Sequence, residues 1–192
     1  MRSLKPSNQA SRSSRTVRGM SLIELLAGLA VVAILLGIAV PSFQGSIDAT
    51  NSTTVRANIV NSVQRAVTQA TLTNTRTVLC PSANGQSCDG GADWSAGWIG
   101  FMDRNGNREH DAGEHLLDRI ERLPEGVRMT TSAGRTRLVF QPSASNGGSN
   151  VRFTICDRRG PAKAQSLVLS NKGRLHGAEP LEDRVAATCP TS

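Results

Sequence analysis

Residues 19–40 read GMSLIELLAGLAVVAILLGIAV, and between Leu22 and Val40 the one charged side chain is Glu24. At about 1.5 Å per residue, a helix over this run spans roughly 28 Å, enough to cross the hydrocarbon of a bilayer. Upstream, residues 1–19 carry Arg2, Lys5, Arg12, Arg15 and Arg18 and no acid. A basic flank on the N-terminal side keeps that end in the cytoplasm and sends everything after Pro41 across the membrane. A cleavable signal peptide shares this layout. Three features argue against it here: the apolar run is long, no small-x-small site follows it, and an acid sits inside it. Carried to mid-membrane, that acid would cost up to about 2.5–3.5 kcal/mol.

Glu24 therefore calls for a partner. A cut after Gly19 would give Met20 a free α-amine, and the carboxylate of Glu24 would offset that cation, within one chain or between neighbours. The stretch Gly19-Met20-Ser21-Leu22-Ile23-Glu24-Leu25 resembles the type IV prepilin processing motif, which has a Gly before the cut and a Glu five residues after it. Met20 stands where Phe is usual. The resemblance implies cleavage by prepilin peptidase between Gly19 and Met20, N-methylation of Met20, and a role for Glu24 in registering an incoming subunit against a filament.

Past Pro41, which is expected to kink the helix rather than end it, Phe43, Ile47, Val55, Ile59, Val63 and Val67 recur mostly at four-residue steps. That period predicts an amphipathic helix over 42–72, with one stripe to bury against a sheet. From 73 to 192 the pattern changes to short β-branched runs, at 76–80, 97–103, 127–131, 135–140, 151–156 and 165–170, separated by turn residues. The expected class is α+β: a long N-terminal helix, transmembrane and then amphipathic, packed on an antiparallel β-rich C-terminal domain. The organisation is a leader over 1–19, a membrane helix over 20–41, the amphipathic helix, and a periplasmic domain.

Cys80, Cys88, Cys156 and Cys189 allow three pairings. Outside the cytoplasm disulfides are the default, and the absence of any C-x-x-C disfavours zinc. A Cys80–Cys88 pair would close a short loop, and Cys156–Cys189 would staple the tail to a strand.

The segment Trp94-Ser95-Ala96-Gly97-Trp98-Ile99-Gly100-Phe101-Met102-Asp103 runs into an Asp/Asn/Gly-rich stretch and then Leu116-Leu117. Together with 155–160 and 168–174 it resembles the GspH/FimT pseudopilin domain, in which this strand leads through a turn to a second strand. Asp103, Asn105, Asn107, Asp111 and Glu114 also have the spacing of a calcium loop. Arg108 occupies the position that needs glycine, and strands rather than helices flank the stretch, so it reads as a solvated hairpin turn with no metal.

The chain holds 22 Lys+Arg and 15 Asp+Glu, a net charge of +7. Five of those positive charges lie in residues 1–19. From Arg128 to Arg174 nine basic residues face Asp157 alone, for +8, whereas 81–127 carries four basic and nine acidic residues, for −5. Such a split gives one part of the domain a phosphate-attracting field. With four Phe, two Trp and no Tyr, a base-stacking platform for single strands is disfavoured. FimT-type members of the family are linked to DNA binding through a basic G-R-x-R motif. The matching stretch here is Gly173-Arg174-Leu175-His176, with His for the last Arg. Arg158, Arg159, Lys172, Arg174 and His176 are the candidate contacts to double-stranded DNA.

No nucleophile elbow, metalloprotease motif or phosphate loop occurs, and the three His form no catalytic pattern, so no enzyme and no cofactor is expected. The resemblance implies a FimT-like minor pilin of a type IV pilus, with prepilin peptidase, other pilin subunits and the inner membrane as partners. The alternative is a GspH-type minor pseudopilin of a type II secretion system.

Overall fold

The computed structural model describes residues 19–143, 145–147 and 150–189, the side chains of 40–42 excepted. Most of the expected leader lies outside the described residues, and the helical backbone continues through Pro41. Two compact units divide the chain, one ending at Pro41 and one running from Ser42 to Ser192. A single helix, α1 (Leu22–Thr73), supplies the helical part of the first unit and the opening of the second.

Within the first unit, Leu22, Ile23, Leu25, Leu26, Leu29, Val31, Val32, Ile34, Leu35, Leu36 and Ile38 are all exposed. The helix is long and apolar enough there to cross a membrane.

In the second unit, α1 buries Val55, Ile59, Val63, Ala66 and Ala70, a stripe advancing by three or four residues. Phe43 and Ile47, expected on the same stripe, are exposed. Small side chains complete the buried face instead, and they let a strand approach the helix backbone: the Thr77 hydroxyl donates to the carbonyl of Ala66 at 2.9 Å.

Eight strands follow: β1 (Arg76–Pro81), β2 (Trp98–Asp103), β3 (Leu116–Ile120), β4 (Arg128–Thr131), β5 (Leu138–Phe140), β6 (Val151–Cys156), β7 (Gln165–Leu169) and β8 (Leu175–Ala178), and then a short helix, α2 (Glu182–Thr188). They form two four-stranded antiparallel sheets, ordered β3-β2-β1-β5 and β4-β6-β7-β8. The residues alone pointed to neither β8 nor α2. β3 was expected only through the family resemblance, and the run expected from 135 begins pairing at Leu138.

One core draws on α1 and both sheets, with Trp94 and Trp98 at its centre. Trp94 packs edge-on to Phe153 at 5.6 Å and tilted against Trp98 at 6.2 Å. The segment between the tryptophans links the sheets: Trp94 N–H donates to the carbonyl of Met129, and Leu123 N–H donates to that of Ser95. Gly97 has φ +109, and a Cβ there would lie 2.4 Å from the Ile120 carbonyl, so glycine is required.

The outer face of the first sheet has its own small core of Val78, Cys80, Ile99, Phe101 and Val139. The Cys80–Cys88 disulfide closes a loop beside it, and His110 packs tilted against Phe101 while bonding the carbonyl of Gln86 in that loop. On the second sheet, the Cys156–Cys189 disulfide ties the end of α2 to β6, and the Thr188 and Thr130 hydroxyls bond at 2.7 Å.

Candidate functional site

The processing motif sits where the helix begins. Ser21 precedes α1, its hydroxyl accepts from the amide of Glu24 at 3.3 Å, and its carbonyl accepts from Glu24 and Leu25 at 3.1 Å. Ser21 is thus an N-cap and Glu24 stands three residues on, in the first turn, where a carboxylate complements the positive end of the helix dipole. Gly19 and Met20 lie outside the helix and are exposed. The cap went unread in the sequence, although the S-x-x-E spacing of Ser21 and Glu24 signals it.

The five basic candidates fall into two groups. Strands β6 and β7 run antiparallel, pairing Val151 with Leu169 and Ile155 with Gln165. Arg158 and Arg159 therefore follow one end of the pair, whereas Lys172 and Arg174 follow the other.

At the first end, Arg158 Nη2 lies 2.9 Å from Glu125 Oε1, with both side chains exposed. Arg159 is engaged internally: Nε donates to Asp157 Oδ1 at 2.9 Å and Nη2 to Oδ2 at 2.7 Å, and Nη2 also reaches Ser52 Oγ on α1 at 3.3 Å. Burial of Asp157 opposes its ionisation, but the bonds from Arg159, together with that from Ser52, outweigh it and hold the carboxyl below its usual range. The same pairing with Asp157 raises the Arg159 guanidinium. In the sequence Arg159 stands as one more positive charge among the DNA candidates, because the burial of Asp157 is set by tertiary packing.

At the second end, Lys172, Arg174 and His176 line an open cleft of about 590 Å³ with Asn150, Ser170 and Asn171. All three side chains are exposed, and none has a hydrogen-bond or ion-pair partner among the described residues. The turn holding them is closed by Gly173 N–H and Arg174 N–H, donating to the carbonyl and hydroxyl of Ser170. His176 lies on β8, the last strand of its sheet, and pairs in register with Val168 of β7.

The acidic stretch after β2 is a self-bonded turn. Asp103 Oδ1 accepts from Gly106 N–H at 2.7 Å, and Glu114 Oε1 accepts from Arg104 N–H at 2.8 Å. Asn105 and Asn107 donate to Asp111 Oδ2 at 2.9 and 2.6 Å, and these bonds hold that carboxyl below its usual range. Among the described residues no group of three or more His, Cys, Asp or Glu is gathered as a metal site requires.

A capped apolar helix start, a helix packed on antiparallel sheets and two disulfides define a pilin-like subunit. Residues 57–173 match the family described as Type II transport protein GspH, and residues 14–40 match the prokaryotic N-terminal methylation motif. The chain belongs to the GspH family. The fold resembles that of the type IV minor pilin FimU of Pseudomonas aeruginosa in two crystal forms. One is 15% identical with a TM-score of 0.50, covering 75% of this chain and 98% of that one. The other is 14% identical with a TM-score of 0.51, covering 78% and 96%. No curated relative matches the sequence. The chain is a minor pilin or pseudopilin of a type IV pilus or a type II secretion system, and its methylation motif implies processing by prepilin peptidase and assembly with other pilins.

Proposed function

We propose that the chain is a FimT-like minor pilin of a type IV pilus, a structural subunit rather than an enzyme. In this reading it is cut after Gly19, methylated on Met20, held in the inner membrane with its β-domain in the periplasm, and assembled through α1. The carrying observation is the cap at Ser21, which leaves Gly19 and Met20 exposed and non-helical directly ahead of an apolar helix with Glu24 in its first turn. A protease needs extended chain, and a filament needs an apolar helix. Mass spectrometry of the mature N-terminus should find methylated Met20. Glu24→Ala should still be cleaved yet fail to enter filaments, and incorporation at the wild-type level would refute the charge pairing.

Double-stranded DNA is the proposed ligand of the turn carrying Lys172, Arg174 and His176. The support is three basic side chains, unpartnered among the described residues, around one open cleft. Binding there should shift duplex DNA at low salt with a steep salt dependence, and Arg174→Ala should weaken it. No binding at low ionic strength removes the DNA assignment. A GspH-type pseudopilin role shares the capped helix. Deleting the protein separates the two, because loss of pili or DNA uptake speaks for the pilus and loss of protein secretion for the alternative.

A further inference from the structure

A second basic cleft lies away from the β7–β8 turn. It encloses about 220 Å³ between the hairpin after β2 and the segment joining β4 to β5, and its lining includes Asn107, Arg108, Glu109, Arg135, Thr136 and Arg137. Three guanidinium groups and one carboxylate leave it a net charge of +2. Glu109 pairs with Arg137, yet the Arg137 Nε–H is buried with no hydrogen-bond partner among the described residues. Arg108 and Arg135 have no side-chain partner among the described residues. Arg108 is also held at φ +65, a conformation that favours glycine.

Three cations in one cleft repel one another, and a buried donor left unbonded is costly. An oxyanion in the cleft relieves the repulsion, and it can reach the accessible ends of the three guanidinium groups. Arginine forks match the oxygens of a phosphate bidentately, and a phosphate monoester carries close to the two negative charges that balance this cleft, whereas a carboxylate carries one. The polar lining and small volume suit a phosphoryl group better than an apolar ligand. We propose that the Arg108–Arg135–Arg137 cleft binds a phosphoryl group. The charge balance favours inorganic phosphate or a small phosphomonoester as the source, and a phosphodiester strand, with one charge per phosphate, is the alternative that the test separates. The assignment does not rest on the pilus reading, and its residues are distinct from the Arg174 cluster.

The test uses the full chain in nonionic detergent, titrated with inorganic phosphate at constant ionic strength and followed by ³¹P NMR. A saturable response is expected. Arg135→Ala should weaken it on the order of tenfold or more, as should Arg108→Gly, which removes the cation but suits the backbone. Glu109→Gln, by freeing Arg137, should tighten it, and Arg174→Ala should leave it unchanged. Short duplex DNA that displaces the phosphate would identify a phosphodiester as the source, and DNA that fails to displace it would identify the small phosphate. The proposal is overturned by the absence of a saturable response, or by one that both Arg135→Ala and Arg108→Gly leave intact.

Discussion

Arg159 grips Asp157 with two parallel bonds, Nε to Oδ1 at 2.9 Å and Nη2 to Oδ2 at 2.7 Å, while the Asp157 side chain is only 1% exposed. The pair also reaches Ser52, so it joins the end of β6 to α1. Removing Arg159 would leave a buried carboxylate unpaired. Arg159→Ala should therefore destabilise the domain by about 3–5 kcal/mol, read from urea unfolding. The folded-state acidity of Asp157 is increased, so its contribution is fully present above the unfolded carboxyl range and is lost as pH falls through the lower folded value. Wild-type stability should drop in that acid window, and Asp157→Asn should flatten the drop. An unchanged pH profile in Asp157→Asn would show that other carboxyls control it.

Trp98 is tied to the helix by a polar thread through the core. Its Nε1 donates to Ser62 Oγ at 3.0 Å, and that hydroxyl donates to Asp118 Oδ2, while Oδ1 of the same carboxylate lies 3.8 Å from Arg65 Nη1. Ser62→Ala would leave a buried indole N–H without an acceptor, at a cost of about 1–3 kcal/mol. Thermal unfolding should show the loss. Tryptophan emission should shift with it, and a variant as stable as wild type would mean that water replaces the hydroxyl.

The parts legible in the sequence are those that local pattern controls. Val55, Ile59 and Val63 announced the buried stripe of α1, and alternation or β-branching announced β1, β2, β6 and β7. β8 was missed because Leu175-His176-Gly177-Ala178 has little β propensity, and it pairs through a register set by the turn that Ser170 closes. α2 was missed because its seven residues are too few to form a stable helix alone, and Cys189 anchors it. In the sites, Gly19 and Glu24 were legible as a fixed spacing. The separation of Arg159 from Arg174 was not, since it follows from the antiparallel course of β6 and β7.

The two disulfides should contribute unequally. Cys156–Cys189 spans 33 residues and Cys80–Cys88 spans 8. Loop-closure entropy then gives roughly 3–4 kcal/mol for the first and about 2.5 kcal/mol for the second. Paired Cys→Ala variants should follow that order in denaturant midpoints. Loss of Cys156–Cys189 should also raise hydrogen exchange in α2 ahead of the sheets, while loss of Cys80–Cys88 should act on the outer core around Phe101. The reverse order would point to native-state packing, not chain entropy, as the main effect.

Ser21 and Glu24 allow the cap to be tested apart from the cut. Ser21→Ala removes the side-chain acceptor for the Glu24 amide, and the loss of such a cap costs about 0.5–2 kcal/mol, here confined to the first turn of α1. The amides of Glu24 and Leu25 should exchange faster in detergent, with those from Val55 onward unchanged. If the cap serves to set the boundary between extended and helical chain, Ser21→Ala should slow or blur cleavage without moving it from Gly19. Ser21→Asp, which retains a side-chain acceptor, should restore both the slow exchange and the cleavage rate. Cleavage of Ser21→Ala at the wild-type rate, despite a frayed first turn, would show that the peptidase reads the glycine at 19 and the side chain of Glu24 and is indifferent to where the helix starts.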